Sequence, residues 1–169
     1  MLDTTLQTLA NFPDLLEAHY AAVPVDFAHW TPPSWEGVPS ERFTPIEQVL
    51  HVRDIEIDGY HVRFRRTLQE SQPLLADIDS YALAATNGYA SDNDAQTALA
   101  DFRAARARTV AMLSALTAEE LARPAVFEGL GPVTVRSLVH YLCSHDQQHL
   151  AGLQWLLAQI EGASTDFSS

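Results

Sequence analysis

The segment 134–160 places its apolar residues on one face, in alternating steps of four and three. At about 100° per residue, this spacing is typical of a helix whose buried seam packs against neighbouring helices. Two histidines interrupt the seam, which runs Leu138, Leu142, His145, His149, Gly152 and Leu156. Two neutral imidazoles buried without partners would cost on the order of 1–3 kcal/mol each. The fold must therefore bring other polar groups, or a cation, to this helix.

Three other long segments have helical spacing, and no segment has a convincing strand pattern. They cover about residues 3–22, 44–68 and 92–115. Pro13 predicts a kink or a break in the first of them. Residues 23–43, between the first two, are rich in proline and cannot be helical throughout. The sequence therefore predicts an all-α fold, a four-helix bundle with a long proline-rich crossing between helices 1 and 2.

Capping residues mark where the predicted helices begin and end. Thr44 followed by Pro45 and Glu47 forms the capping pattern for the second helix, and Asp92 is the predicted start of the third. A short helical turn, "TAEEL", begins at Thr117. The fourth helix should end near Ile160, with Gly162 following it. Residues 1–162 are then one domain, and we expect residues 163–169 to be a frayed tail.

Charge and composition exclude several classes of function. Ten arginines against 22 acidic residues give a formal net charge of −12, and the chain contains no lysine. Such a surface repels phosphate backbones, so we predict no nucleic-acid partner. Schiff-base chemistry and a lysine-dependent phosphate loop are also excluded.

The expected location follows from the same composition. A single cysteine, Cys143, allows no internal disulfide. The N-terminus lacks the features of a secretory signal, and no stretch approaches the roughly 20 apolar residues of a membrane span. We therefore predict a cytoplasmic protein with no membrane contact.

The histidine spacing allows a metal site without requiring one. His145 and His149 have the i, i+4 separation at which two helical imidazoles converge on one cation. The alternative is a buried pair bonded to carboxylates or water. His51 is the candidate third ligand, although spacing places it on a polar strip with Glu47, Asp54 and Asp58. That strip is either a solvated face or the lining of a pocket, and spacing alone favours the solvated face.

The other polar residues near the pair have less specific roles. Asp146 makes "HDQQH" one methylene short of the zincin motif HExxH, in which the acid serves as general base. Cys143 adjoins the seam, where thiols are usually inert. The histidines at 19, 29, 61 and 140 have no partner at ligand spacing, and we expect them to be structural or exposed.

Two segments resemble the DinB-like (DNA-damage-inducible) superfamily of metal-binding proteins. "FTPIEQVLHVRDIE" is similar to the opening of the family's second helix, and "LVHYLCSHDQQHLAGLQWLL" is similar to its closing helix. The resemblance covers essentially the whole chain. The sequence departs from the family at Phe43, where a tryptophan is usual, and this change should affect packing more than metal binding.

The resemblance implies a four-helix bundle with a divalent metal ion held by His51, His145 and His149. Zinc, nickel and iron(II) all suit three imidazoles. Family members with known activity are related to bacillithiol and mycothiol S-transferases, which implies a metal-dependent transferase of low-molecular-weight thiols and a small-molecule thiol partner. The alternatives are a metal-dependent hydrolase and a non-catalytic stress-response metal-binding bundle. Members often pair through their helices, so a homodimer is expected.

Overall fold

The structure, a computed structural model that describes residues 2–166, confirms the predicted four-helix bundle. Its helices are α1 (Asp3–Ala21), α2 (Pro45–Asp54), α3 (His61–Gln69), α4 (Ser80–Thr86), α5 (Ala95–Ser114), α6 (Ala118–Leu121) and α7 (Val135–Asp166). A π-helical segment, Ile55–Tyr60, joins α2 to α3 without a break. We call α2, this π segment and α3 together the second helix of the bundle. A short 3₁₀ turn covers Val25–Phe27.

The proline-rich crossing determines how the four long helices are ordered. α1 packs against α5 and α7, and the second helix packs against the same two neighbours. Helices that follow each other in the chain therefore lie mainly across the bundle from each other. A tight connection could not span that distance, which gives the long segment between Ala21 and Pro45 a structural reason.

Pro13 does not break the first helix. α1 is continuous from Asp3 to Ala21 with Pro13 inside it, so the prediction of a break at this position is wrong. Proline has no N–H to give to the carbonyl four residues earlier, which here belongs to Leu9. That carbonyl accepts a hydrogen bond from Nη1 of Arg106 at 3.1 Å instead. A side chain from α5 thus satisfies the group that proline leaves without its helical partner.

Two of the three predicted N-cap residues, Thr44 and Thr117, are the N-caps of their helices. Glu47 accepts a hydrogen bond from the Thr44 backbone N–H at 2.8 Å, and Thr117 caps α6. The third helix begins at Ala95 and is capped by Asp94, not by Asp92. Asp94 accepts hydrogen bonds from two backbone N–H groups of the first turn, as N-cap residues usually do.

A small sheet was missed by the sequence prediction. Strands β2 (Pro124–Phe127) and β3 (Gly131–Thr134) form an antiparallel hairpin, and β1 (Leu74–Leu75) pairs with β2 in parallel. Gly129 and Gly131, at the turn, have φ of 80° and 85°, a conformation that favours glycine. The sheet is minor, and the all-α class stands.

The last helix is longer than predicted. α7 continues past Gly162 to Asp166, because a single glycine weakens a helix without having to end it. Residues 167–169, the end of the predicted tail, lie outside the described residues. Within residues 2–166, no helix has the combination of length and apolar character needed to cross a bilayer.

Two apolar clusters fill the bundle, and a polar layer lies between them. One cluster includes Phe12, Leu50, Phe102 and Leu153, and the other includes Leu9, Phe64, Leu113 and Leu142. Along each long helix, membership changes from one cluster to the other at the same level. Buried polar residues occupy that level, namely Glu56, Arg106, Asp146, His51 and His149.

Arg106 is the centre of one half of this layer. Its Nε and Nη2 donate to the two carboxylate oxygens of Glu56 at 3.0 and 2.9 Å. Its Nη1 and Nη2 donate to Asp146 at 2.7 and 3.0 Å. With the bond to Leu9, all five N–H donors of the guanidinium are used. Thr109 donates to Glu56 at 2.5 Å, which completes the network.

The network contains one cation and two carboxylates, so it is not neutral when both acids are ionised. Burial raises the pKa of Asp146 to about 7, although the contact with Arg106 acts in the opposite direction. Burial lowers the pKa of Arg106, but the charges of Asp146 and Glu56 outweigh it and raise that pKa overall. The arginine therefore stays charged, and Asp146 is the member that can take up a proton.

We predict that Arg106→Met lowers the free energy of unfolding by about 3–5 kcal/mol, because it leaves two buried carboxylates without their cation. Urea denaturation followed by circular dichroism measures this change. Arg103→Met is the matched control on the same helix. Arg103 contacts Asp14 and Glu17 at 2.6 Å each, but its side chain is 47 % exposed. Arg103→Met should therefore lower the free energy of unfolding by less than about 1 kcal/mol. Equal losses for the two variants would contradict the proposed importance of the buried network.

Candidate metal centre

Three histidines from two helices converge in the other half of the polar layer. His51 lies on α2, and His145 and His149 lie one turn apart on α7. The ring centroids are 5.3 Å apart for His51 and His145, 4.6 Å for His51 and His149, and 4.4 Å for the α7 pair. His51 is 1 % exposed. The interpretation favoured by spacing, that His51 lies on a solvated face, is therefore wrong.

Gln48 fixes which nitrogen of His149 can bind a cation. The Gln48 amide nitrogen donates to the Phe43 carbonyl at 3.2 Å, and a carbonyl can only accept. The amide oxygen must therefore be the atom that lies 2.6 Å from Nδ1 of His149. Nδ1 then carries the proton, and Nε2 keeps its lone pair. Nε2 is buried and has no hydrogen-bond partner among the described residues.

The distances fit a small cation. One nitrogen from each ring lies within 4.8 Å of one from each of the others. Nε2 of His51 and Nε2 of His145 are 3.3 Å apart. Two nitrogens that bind the same tetrahedral zinc ion at its usual bond length are about 3.3 Å apart. A hydrogen bond between these two atoms satisfies only one lone pair, whereas a cation would satisfy both.

The protonation states also fit a cation. Burial lowers the pKa of His51 to about 4 and lowers the pKa of His145 and of His149 well below the ordinary value for histidine. All three rings are therefore neutral at pH 7, which is the form that binds metals. The three side chains could hold a divalent metal ion without first losing a proton.

Glu41, at the end of the proline-rich crossing, faces this cluster. Its Oε2 is 3.4 Å from Nε2 of His149 and has no hydrogen-bond partner in the described part of the chain. Its Oε1 accepts a hydrogen bond from Ser80 at 2.8 Å, which holds the carboxylate in place. A carboxylate oxygen and an imidazole lone pair repel each other when they meet without a proton or a cation between them. This contact is a second observation that fits a bound cation.

Gly152 permits the close packing that brings Gln48 to His149. A Cβ at this position would lie 2.2 Å from Oγ of Ser40 and 3.0 Å from the amide nitrogen of Gln48. The Gln48 amide donates to Ser40 at 2.8 Å. A side chain at 152 would therefore displace the pair that orients the His149 ring.

A cleft of about 310 Å³ opens beside the histidines. His51 and His145 line it together with Glu41 and with Arg63, a buried residue of α3. Apolar surface comes from Ile55, Phe127, Leu130 and Tyr141. Small-molecule sites are usually concave, largely apolar and supplied with a few placed polar groups. The cleft is concave and combines apolar side chains with several polar and charged ones, and it has room for a small molecule next to the imidazoles.

The acids near the histidines in sequence, Asp146, Glu47 and Asp54, have other contacts. Asp146 bonds to Arg106, Glu47 caps α2, and Asp54 accepts from Arg53 at 2.7 Å and from Asn87 at 2.8 Å. None of these acids accepts a hydrogen bond from the three rings within the described residues. Asp146 is bonded to Arg106 and is not placed to act as the base of a zincin-type site.

The remaining histidines and Cys143 lie outside the cluster. His140 is exposed and lies 3.2 Å from Thr5, and His61 contacts Thr109 at 2.9 Å. His19 bonds within α1. Burial raises the pKa of the Cys143 thiol, which disfavours the reactive thiolate. These placements agree with the structural or surface roles predicted for them.

Sequence reasoning missed Gln48 and Glu41 as neighbours of the histidines. Gln48 is one position after Glu47 and three before His51, a spacing that puts it on the same side of α2 as His51. That spacing was a usable signal. Glu41 lies in an irregular segment, where no periodicity indicates the direction of a side chain.

Comparisons with known proteins agree with this arrangement. A sequence profile of the DinB superfamily matches residues 8–153. Among solved structures, YfiT from Bacillus subtilis superimposes with a TM-score of 0.81 at 22 % identity, over 94 % of this chain and 87 % of that one. That protein is described as a probable metal-dependent hydrolase with an unusual four-helix bundle topology. A comparison with curated protein sequences finds no match.

In the metal-free protein, we predict that the free energy of unfolding falls as the pH is lowered from about 6.5 to about 4. The unfolded chain protonates His51 near its ordinary pKa, whereas the folded protein does so only near pH 4. His51 alone then accounts for about 3 kcal/mol, fully present above pH 6.5 and lost progressively below it.

Urea unfolding at a series of pH values, with a chelator present, measures this dependence. His51→Gln keeps a polar side chain at the position and should remove the corresponding part of the pH effect. Identical pH dependence in wild type and variant would show that His51 is not held neutral by burial.

Proposed function

Because the chain belongs to the DinB superfamily, we propose that it binds one divalent metal ion through His51, His145 and His149 and acts as a metal-dependent transferase of small thiols. The convergence of three neutral imidazoles beside a cleft carries this proposal. Three protein ligands leave a coordination position for a substrate, which is typical of a catalytic metal site. A bound metal would lower the pKa of an entering thiol and so supply a thiolate at neutral pH.

The residues around the site would hold and orient its parts. Gln48 would keep the proton of His149 on Nδ1 and present Nε2 to the metal. Phe43 packs against His51 and His149, with ring centroids 5.0 and 6.5 Å away, and would keep water from that side. The thiol and its electrophile would meet in the cleft that His51 and His145 line. Cys143 would take no part.

Zinc, nickel and iron(II) remain the proposed metals, because imidazole binds all three and availability often decides among them. The cytoplasmic location and the homodimer also remain proposals. A cytoplasmic setting is consistent with the reduced Cys143 and with the supply of small thiols that the reaction needs.

We predict that His145→Ala lowers affinity for zinc at least tenfold and abolishes thiol-dependent turnover, because a two-histidine site loses a ligand and gains no replacement. Metal content by elemental analysis and conjugation of a thiol to an electrophilic dye measure the two effects. His140→Ala is the control, since His140 is exposed on the same helix. Equal zinc content and equal turnover in wild type and His145→Ala would rule out the proposal.

Metal-dependent hydrolysis is the second candidate, and Glu41 is the observation that favours it. Its unpartnered Oε2 lies next to the histidine cluster and could accept a proton from a water molecule in the cleft. The description of YfiT as a probable metal-dependent hydrolase points the same way for a protein of this fold.

If hydrolysis is the activity, we predict that Glu41→Gln lowers kcat by about 10²–10⁴-fold while zinc stays bound, because the amide cannot accept the proton. Turnover of an ester panel without any thiol, together with zinc content, measures this. Asp26→Asn, an exposed carboxylate on the same crossing, is the control. Thiol-dependent turnover that survives Glu41→Gln would favour the transferase. Zinc binding with no turnover in either assay would favour the third possibility, a non-catalytic stress-response bundle.

A further inference from the structure

We propose that Arg63 is an anion-binding subsite in the cleft, and that the small molecule bound beside the histidines carries a carboxylate. This inference rests on the proposed function only in taking the cleft as the substrate site. It adds to the proposed function the chemical class of the ligand, a carboxylate. The starting observation is a buried arginine without a carboxylate partner on the wall of that cleft.

Arg63 is 6 % exposed, and within the described residues no carboxylate lies within ion-pair distance of it. Its Nη2 donates to the Ala76 carbonyl at 3.3 Å, while its Nε is buried without a partner. The other buried arginine, Arg106, uses all five donors and has two carboxylate partners. Buried charges are normally paired. Asp77 attracts Arg63 only from beyond ion-pair distance, so the guanidinium is available to pair with a ligand in the cleft.

Aromatic rings hold the guanidinium in place. Its central carbon lies 4.4 Å from the centroid of Phe127 and 5.0 Å from that of Tyr60. Its Nη1 passes over Gly59, where an added Cβ would approach it to 3.3 Å. A guanidinium fixed in this way loses little conformational entropy when it binds a planar anion. Burial lowers the pKa of Arg63, which means that a bound anion would recover part of the cost of the buried charge.

The other charges of the cleft favour a carboxylate over a more highly charged anion. Glu41 and Asp77 also line it, and the protein as a whole carries a formal charge of −12. A singly charged carboxylate meets less repulsion from these acids than a phosphate does. The two oxygens of a carboxylate also match the planar fork of arginine.

The same cleft connects Arg63 to the histidines. His51, His145 and Arg63 all line it, and the apolar side chains of Ile55 and Leu130 lie on it as well. A ligand with its carboxylate on Arg63 can therefore extend along apolar surface toward the imidazoles. Arg63 would then position the reacting end of the substrate without touching the reacting atoms.

The test compares ligands that differ only in the carboxylate. Zinc-loaded protein is titrated with N-acetylcysteine and with its neutral amide, and dissociation constants are measured by calorimetry. We expect wild type to bind the acid about tenfold more tightly or better, the range of a charged hydrogen bond. Arg63→Met, which keeps an apolar stem under the rings, should abolish the preference and leave binding of the amide unchanged. Arg65→Met removes an exposed charge from the same helix and should leave the preference intact.

Further ligands separate this proposal from the proposed function. N-acetylalanine has the carboxylate without the thiol. If N-acetylcysteine and N-acetylalanine bind wild type equally tightly, both lose binding in Arg63→Met and the neutral amide does not bind, the subsite stands and thiol transfer falls. If the thiols bind and the preference for the acid is the same in wild type and Arg63→Met, the subsite is overturned while the metal site stands.

Two further results would overturn the proposal. Inorganic phosphate that binds more tightly than N-acetylalanine, and depends on Arg63, would overturn the assignment to a carboxylate. Absence of any Arg63-dependent binding would overturn the subsite itself. Thermal unfolding by circular dichroism checks the fold of Arg63→Met, and Arg63→Gln replaces it if that variant does not fold.

Discussion

The fold depends on one buried cation that four helices share. Arg106 extends from α5 and contacts Glu56 on the second helix, Asp146 on α7 and the Leu9 carbonyl on α1. Apolar packing alone allows helices to slide and rotate with little penalty, because apolar contacts have little directional preference. A fully satisfied guanidinium does have directional preferences. The relative rotation and height of the four helices are therefore fixed at this level, where the two apolar clusters meet.

The histidine cluster inherits its geometry from this ion network. Asp146 follows His145 directly in α7, so the bond from Asp146 to Arg106 sets the rotation of the helix that carries two of the three imidazoles. On the second helix, Glu56 lies in the π segment that follows the turn with His51. Residues His51, Ile55, Tyr60 and Arg63 all line the cleft, in steps of four, five and three. The step of five crosses the π segment, whose extra residue keeps His51 and Arg63 on one side.

The regularity and the burial of each helix explain where sequence reasoning succeeded and where it failed. α7 is regular through the pair, so helical spacing predicted that His145 and His149 point into the core. Spacing along the second helix placed His51 on a polar strip with Glu47, Asp54 and Asp58 and favoured a solvated face for it. Eight of the ten residues of α2 are buried, so polarity along this helix does not indicate exposure. Only the family resemblance corrected the position of His51. The ion network was also missed, because the partners of a buried charge lie on other helices and leave no periodic signal in the local sequence.

The residues around the cleft come from two kinds of structure, the long helices and the segments that connect them. The candidate metal ligands and Gln48 come from long helices whose rotation the ion network fixes, so their positions depend on the whole bundle. Glu41, Phe127 and Leu130 come from the crossing and from the small hairpin, outside the four long helices. Exposed parts of such segments, such as Leu130, can change with little effect on a bundle core, whereas Phe127 is buried in one of the two apolar clusters. Arg63 belongs to the first group, because α3 continues the second helix and aromatic rings enclose its guanidinium. The cation and the anion-binding group would then be fixed relative to each other, while the crossing and the hairpin set the shape of what fits between them.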